Sequence, residues 1–233
     1  MFVWDDGELN AEQEAAITEE KSVFLVACPG SGKTRTLTYK IARELSKLTS
    51  DKQWVIAITY THIAADEIHE RIENLGVDTS QLWIGTIHAF CLEWIIRPYA
   101  IYHDALKSGF TIINSHDTEA HLTRLCGAYR QAKITFWDCN NHYFTSGGIE
   151  LTCHSAKKAH VRRILDQYHA EMLSERRIDF ELILAFAHEL IVKQPSISKL
   201  LGSLFAYVLV DEYQDTKEIQ YAILAAILKA SDG

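Results

Sequence analysis

Ala27-Cys28-Pro29-Gly30-Ser31-Gly32-Lys33-Thr34 lies between an apolar, β-prone run, Ser22-Val23-Phe24-Leu25-Val26-Ala27, and a segment of helical period from Lys33 to Lys47. A run of that kind is read as a strand buried on both faces of a parallel sheet, so the local order is strand, Gly-containing loop, helix start. That order predicts a phosphate cradle. Loop N–H groups and the helix N-terminus point at anionic oxygens, Lys33 reaches the β/γ-phosphates, and the Thr34 hydroxyl binds Mg²⁺. Gly30 and Gly32 supply the positive φ and the close backbone approach that a side chain would block. The first Gly of the general pattern is replaced by Ala27, so the match is to a looser form, and the competing reading is an ordinary glycine turn.

The chain has 233 residues, 48% of them hydrophobic, and only three prolines, which suits a folded α/β protein of one large or two small domains. It contains no run of eighteen apolar residues, and Met1-Phe2-Val3-Trp4-Asp5-Asp6 lacks a basic-then-apolar signal pattern. Neither a membrane span nor secretion is implied, and a cytoplasmic setting is expected. Five cysteines without paired spacing suit reduced thiols, and Cys139-x-x-His142 with Cys153-His154 lacks the tight pairing of zinc modules. The net charge of −8 argues against a protein that coats nucleic acid through bulk charge. From Arg97 to Ile178, however, eleven Lys/Arg face eight Asp/Glu, so the positive balance is confined to one segment.

Along the chain, Asn10 is placed to cap a helix with Gln13 three residues on, as in a capping box. The same carboxamide, just upstream of a phosphate loop, is also able to pair with an adenine edge. Trp54 to Thr59 reads as a second buried strand, and Thr61 as the cap of a helix from about Ile63 to Leu75. Tyr60 is thereby placed at a strand's C-terminal end, where it either stacks on an unpaired base or packs on the next helix. Leu82 to Gly85 is a third strand. Beyond it, Thr86 is a candidate cap and His88 a candidate core histidine, in a helix that ends near Pro98.

From Arg97 to Ile178 strand runs vanish and polar helix patterns take over, at about Ser115 to Arg130 and Ser155 to Arg176, with Thr145-Ser146-Gly147-Gly148 as a loop. Lys157, Lys158, Arg162 and Arg163 fall within two turns, either as a solvated helix face or as a phosphate track. Asp179 caps a helix from Phe180 to Val192, and Pro195 starts another. Tyr207 to Val210 then forms a fourth buried strand that ends in Asp211-Glu212-Tyr213-Gln214-Asp215-Thr216. With a phosphate loop already present, the two carboxylates complete an NTPase site. Asp211 holds Mg²⁺ opposite Thr34, and Glu212 orients or deprotonates the attacking water. The alternative is that both cap the helix from Thr216 to Lys229.

Taken together, these motifs resemble the N-terminal half of a superfamily 1 helicase of the UvrD/Rep/PcrA type. Leu9-Asn10 with Gln13 resembles the adenine-reading Q motif, and Ala27 to Thr34 resembles the family's A-x-x-G-S-G-K-T loop. Thr59 to Ala65 is similar to motif Ia, Gly85 to Phe90 to motif Ib, and Asp211 to Thr216 with Gln220 to motif II. The resemblance implies that ATP is the nucleotide, that Gln13 reads adenine and that Arg35 lies near the nucleotide. It implies further that Tyr60, Thr61, His62, Thr86 and His88 line a single-stranded DNA path, with Gln214 between the γ-phosphate and that path. The implied fold is a RecA-like P-loop NTPase domain with a mainly parallel sheet, residues 1–96 and 179–233, interrupted by a helical subdomain at 97–178 beside the duplex. The basic cluster at 157–163 then becomes a candidate contact at single/double-strand junctions. The implied activity is ATP-driven, 3′-to-5′ movement on single-stranded DNA.

Departures from the pattern are Tyr60, His62 and Ile63 where the family commonly has Phe, Asn and Lys, and Cys28-Pro29 where it has Gly-Ala. Pro29 has no N–H to give the cradle. Motif III, motifs IV to VI, the second lobe and an arginine finger fall outside the 233 residues, so the chain alone is expected to bind Mg-ATP weakly and turn it over slowly. Two other readings share the phosphate loop. A small-molecule kinase leaves Gln13, Thr86 and His88 unexplained, and an ATP-dependent DNA-binding module would be completed by a partner's lobe.

Overall fold

The computed structural model describes residues 2–26, 28 and 30–231; positions 1, 27, 29, 232 and 233 and the side chains at 130 and 131 lie outside the described residues. The elements are, in chain order, α1 (Ala11–Thr18), α2 (Lys33–Lys47), β1 (Trp54–Thr59), α3 (His62–Asn74), β2 (Leu82–Thr86) and α4 (Ile87–Phe90). A π-helical stretch, Cys91–Ile96, leads to α5 (Arg97–Tyr99), β3 (Thr111–Ile112), α6 (Ser115–Cys126), α7 (Phe136–Asn140), β4 (His142–Thr145) and β5 (Gly148–Leu151). The chain ends with α8 (Lys158–Ser174), β6 (Arg177–Ile178), α9 (Phe180–Lys193), α10 (Pro195–Leu204), β7 (Phe205–Val210) and α11 (Glu218–Ser231). This is a mixed α/β protein with a parallel sheet. Among the described residues no helix is long and apolar enough to cross a membrane.

Two compact units are present: residues 1–87 with 200–215, and residues 88–199 with 216–233. The first holds a three-stranded sheet in the order β2-β1-β7, with β1 parallel to both neighbours. The central strand is buried along Val55 to Thr59, as its unbroken apolar sequence requires. Val55 and Ala57 meet Ile41 and Leu45 of α2 and Ile68 and Ile72 of α3, with Leu82 and Leu209 closing the cluster from the flanking strands. Helix α2 has the bounds that its period predicts. Thr61 caps α3 by accepting a hydrogen bond from the Ala64 N–H at 3.1 Å.

The expected strand at 22–27 is not formed over its described residues, 22–26. Residues 22–26 pair with no strand, Val23, Phe24 and Val26 are exposed, and the Phe24 ring stands edge-on to Tyr213 with centroids 5.6 Å apart. Ala27 lies outside the described residues. β-Propensity measures how well a residue fits a pleated, half-buried surface. Among the described residues the sheet ends at β7 and gives this run no such surface, so an apolar composition alone does not fix it as a strand.

The second unit is built on α8, α9 and α11. Helix α9 is apolar nearly all round, with Leu182 to Ala187, Leu190 and Ile191 buried, as expected of a helix inside a core. Asp179 caps it, with its Oδ1 accepting from the Leu182 N–H at 2.8 Å. Strands do not vanish between 97 and 178. β3 pairs with β6 in parallel, and β4 and β5 form an antiparallel hairpin in which His142 faces Leu151 and Thr145 faces Gly148. The stretch read as a loop, Thr145 to Gly148, is the turn of that hairpin. At its tip the Ser146 N–H and Oγ donate to the two oxygens of Glu218 at 2.8 and 2.6 Å.

Candidate active site

Because β2, β1 and β7 run parallel, their C-terminal ends share one edge of the first unit. Thr86 ends β2 and is the register partner of Thr59, which ends β1 and is followed by Tyr60. The Asp211 N–H extends the β7–β1 ladder by donating to Ile58 O at 2.8 Å. Along this edge the order is therefore Thr86, Tyr60, then Asp211 and Glu212. In open α/β sheets ligands bind outside this end of the strands.

Of the expected phosphate loop, Ala27 and Pro29 lie outside the described residues. Gly30 and Gly32 have φ of +82° and +85°, in the left-handed region that favours glycine. A Cβ on Gly32 would lie 2.6 Å from Gln13 Nε2. The Ser31 N–H donates to Cys28 O at 3.1 Å, and Cys28 is exposed. Gly32 caps α2 without a side-chain hydrogen bond, which leaves the helix N-terminus to other acceptors. Thr34 follows in the first turn, half-buried.

Lys33 Nζ donates to Glu212 Oε1 at 2.7 Å and lies 3.9 Å from Asp211 Oδ1. Gln214 Nε2 donates to the other Glu212 oxygen. Lys33 holds the Glu212 carboxyl below the usual carboxylate range, with Gln214 adding to the effect, and Glu212 in turn raises Lys33. Both are charged at neutral pH. The stabilisation from Glu212 is present above the ordinary carboxylate range and is lost as pH falls through its lowered value. Glu212 has φ +50°, a left-handed conformation that costs a non-Gly residue about 1 kcal/mol or more and persists only where the surroundings enforce it.

A family model described as the UvrD/REP helicase N-terminal domain matches residues 9–232. The chain belongs to the UvrD/REP helicase family. It is 29% identical over 238 aligned residues to a protein of Mycobacterium tuberculosis named ATP-dependent DNA helicase UvrD1, covering 94% of this chain and 30% of that protein. It is 28% identical to the ATP-dependent DNA helicase PcrA of Bacillus subtilis, over 91% of this chain and 30% of the relative. A probable DNA helicase II homolog of Rickettsia conorii is 28% identical, with 95% of this chain and 36% of the relative covered. The chain thus spans about a third of the length of the curated relatives it matches.

The remaining expected site residues of this UvrD/REP-family chain are placed as follows. Gln13 is in the capping box and at the loop at once. Its N–H and Oε1 exchange hydrogen bonds with Asn10 at 2.8 and 3.0 Å, while its Nε2 donates to Ser31 O at 3.1 Å. Arg35 donates to Glu8 O at 3.0 Å and lines an open pocket of about 220 Å³ with Tyr39, Arg71 and Leu75. Tyr60 is 68% exposed, His62 is exposed at the start of α3, and Thr61 spends its hydroxyl on the cap. His88 belongs to the second unit, where its ring packs edge-on to Phe180 with centroids 5.5 Å apart and burial pushes its pKa down.

The basic cluster divides. Lys157 Nζ sits 2.8 Å from both Asp138 oxygens, and Arg162 donates to Ile149 O and lies 3.6 Å from Asp166. Lys158 and Arg163 are exposed. Sequence reasoning missed the strained Glu212 backbone, the hairpin and an exposed tryptophan, Trp137. Of these only the hairpin had a signal, two β-prone tetrads separated by Ser146-Gly147.

Proposed function

We propose that this chain is the ATP-binding part of a DNA helicase and translocase of the UvrD/PcrA type, moving 3′ to 5′ on single-stranded DNA in a cytoplasmic setting. One observation carries the reading: Lys33 lies between Asp211 and Glu212 at the sheet edge that also carries Tyr60 and Thr86. The fit to a nucleoside triphosphate rests on the uncapped α2 N-terminus, the two positive-φ glycines and the Lys33 cation, all donors suited to phosphate oxygens. The hard oxygen ligands of Asp211 and Thr34 suit Mg²⁺, which when bound neutralises charge on the β/γ-phosphates.

In this reading Lys33 leaves Glu212 for the γ-phosphate. Glu212, no longer held below its ordinary range, accepts the proton of the attacking water. Gln214, bonded to Glu212, transmits that change toward Tyr60, whose exposed ring stacks on a base. The domain division proposed is a RecA-like domain at 1–96 and 179–233 with the inserted subdomain at 97–178. The remaining half of the γ-phosphate cage is assigned to a second lobe with an arginine finger, which contributes about 10³-fold or more to turnover.

The test is ATP turnover measured with and without single-stranded oligo-dT. Turnover that rises with DNA is the expected result. Turnover indifferent to DNA overturns the coupling, and transfer of phosphate to a small acceptor in place of water favours a kinase.

A further inference from the structure

We propose that Trp137 is a base-stacking platform for one unpaired nucleotide, with Lys158 and Arg163, exposed cations of α8, contacting phosphates of the same strand. The proposal rests on the nucleic-acid reading above and adds a contact in the second unit that no motif supplies.

Trp137 is presented by α7, a helix of five residues that is far too short to be stable by itself. Three anchors hold it. Thr135 and Asp138 form a capping box, with the Thr135 N–H donating to Asp138 Oδ2 at 2.9 Å. Lys157 Nζ bridges both Asp138 oxygens at 2.8 Å and ties α7 to the start of α8. Cys139 is fully buried, with its Sγ 3.6 Å from Cys126 Sγ. Phe136 is half-buried and meets the Trp137 ring at 63° with centroids 5.2 Å apart.

All of this fixes a helix whose outward residue is a 68% exposed indole. The other four tryptophans, Trp4, Trp54, Trp83 and Trp94, are each at least partly buried. A rigid aromatic face held in water loses little further entropy when a base stacks on it.

Charge selects the partner. Between residues 130 and 166, six Lys/Arg face three Asp/Glu, in a chain whose net charge is −8. Asp138 is already neutralised by Lys157, and Arg162 is engaged with Ile149 O and Asp166. Lys158 and Arg163 are exposed and, among the described residues, have no ion-pair partner. A protein partner would need an apolar rim around the indole to exclude water. Apart from Phe136 against its ring, the exposed residues flanking it in sequence are polar: Lys133, Thr135, Asn140 and Asn141. That surround suits a polyanion with flat bases better than an apolar protein surface.

The test compares the full chain with Trp137→Ala, Trp137→Phe and Lys158→Ala/Arg163→Ala in binding a labelled oligo-dT 20-mer across a salt series. Trp137→Ala is expected to weaken binding about tenfold, and Trp137→Phe to stay within about threefold of wild type. Removing both cations should flatten the salt dependence by a slope of about 1.4. DNA should also quench the indole emission of the wild type, and that quenching should fall in Trp137→Phe, a readout that holds even if the alanine variant does not fold. Wild-type affinity in folded Trp137→Ala, or quenching as large in Trp137→Phe as in the wild type, overturns the platform while leaving the DNA reading intact. A wild-type chain that binds no oligo-dT overturns both.

Discussion

Glu212→Gln is expected to lower ATP turnover by about 10³-fold, within the range for loss of a general base, while nucleotide binding persists or tightens. The loss follows from chemistry, because an amide cannot take a proton from water at neutral pH. The gain in binding follows from geometry. Glu212 holds Lys33 at 2.7 Å, and a phosphate has to break that ion pair before Lys33 can serve it. Glutamine keeps the shape and removes the charge, so Lys33 is released at lower cost. Phosphate release in a single turnover and equilibrium binding of a fluorescent ATP analogue separate the two effects. Near-normal hydrolysis removes Glu212 from the role of base. Weaker binding contradicts the idea that the carboxylate competes with phosphate for Lys33.

Asp179→Ala is expected to destabilise the second unit by about 3 kcal/mol, the sum of a lost helix cap and a buried hydroxyl left without its acceptor. Asp179 is 4% exposed, caps α9 through the Leu182 N–H, and accepts the Tyr168 hydroxyl at 2.7 Å. Tyr168 is fully buried, and burial together with the Asp179 charge pushes its pKa up, so the phenol stays protonated and donates. The variant leaves that donor with only a 3.4 Å approach to Thr118 Oγ1. Urea denaturation checks the figure. A change below about 0.5 kcal/mol would show that neither bond contributes as described.

Much of the first unit was legible because its sequence signals are local. Trp54 to Ile58 of β1 form an apolar run, α2 has a clear helical period, and Asn10 and Thr61 are capping types at helix starts. The run at 22–26 misled because strand formation depends on a partner edge, which no local pattern specifies. The hairpin at 142–151 was hidden by a segment otherwise rich in helical signal, although its turn was read as a loop. Thr59 is readable as a strand end and Thr86 only as a helix cap, because their pairing side by side is a matter of register between separate strands. Gln13 forms the capping box that its spacing to Asn10 predicts. The capping box takes its N–H and Oε1, and its Nε2 still reaches the loop at Ser31. Trp137 carried no signal, since nothing in its neighbours' types reveals that α7 turns it outward.

Lys33, set between Asp211 and Glu212, is expected to make this loop a Mg-dependent ATP site. Equilibrium binding of ATP to the wild-type chain and to Lys33→Ala, each with and without Mg²⁺, tests it most directly. Wild-type binding is expected to strengthen with Mg²⁺ and to fall at least about tenfold in Lys33→Ala, through loss of a charge-assisted contact to phosphate. ATP affinity that is equal in the two proteins, or absent from the wild type, would contradict it.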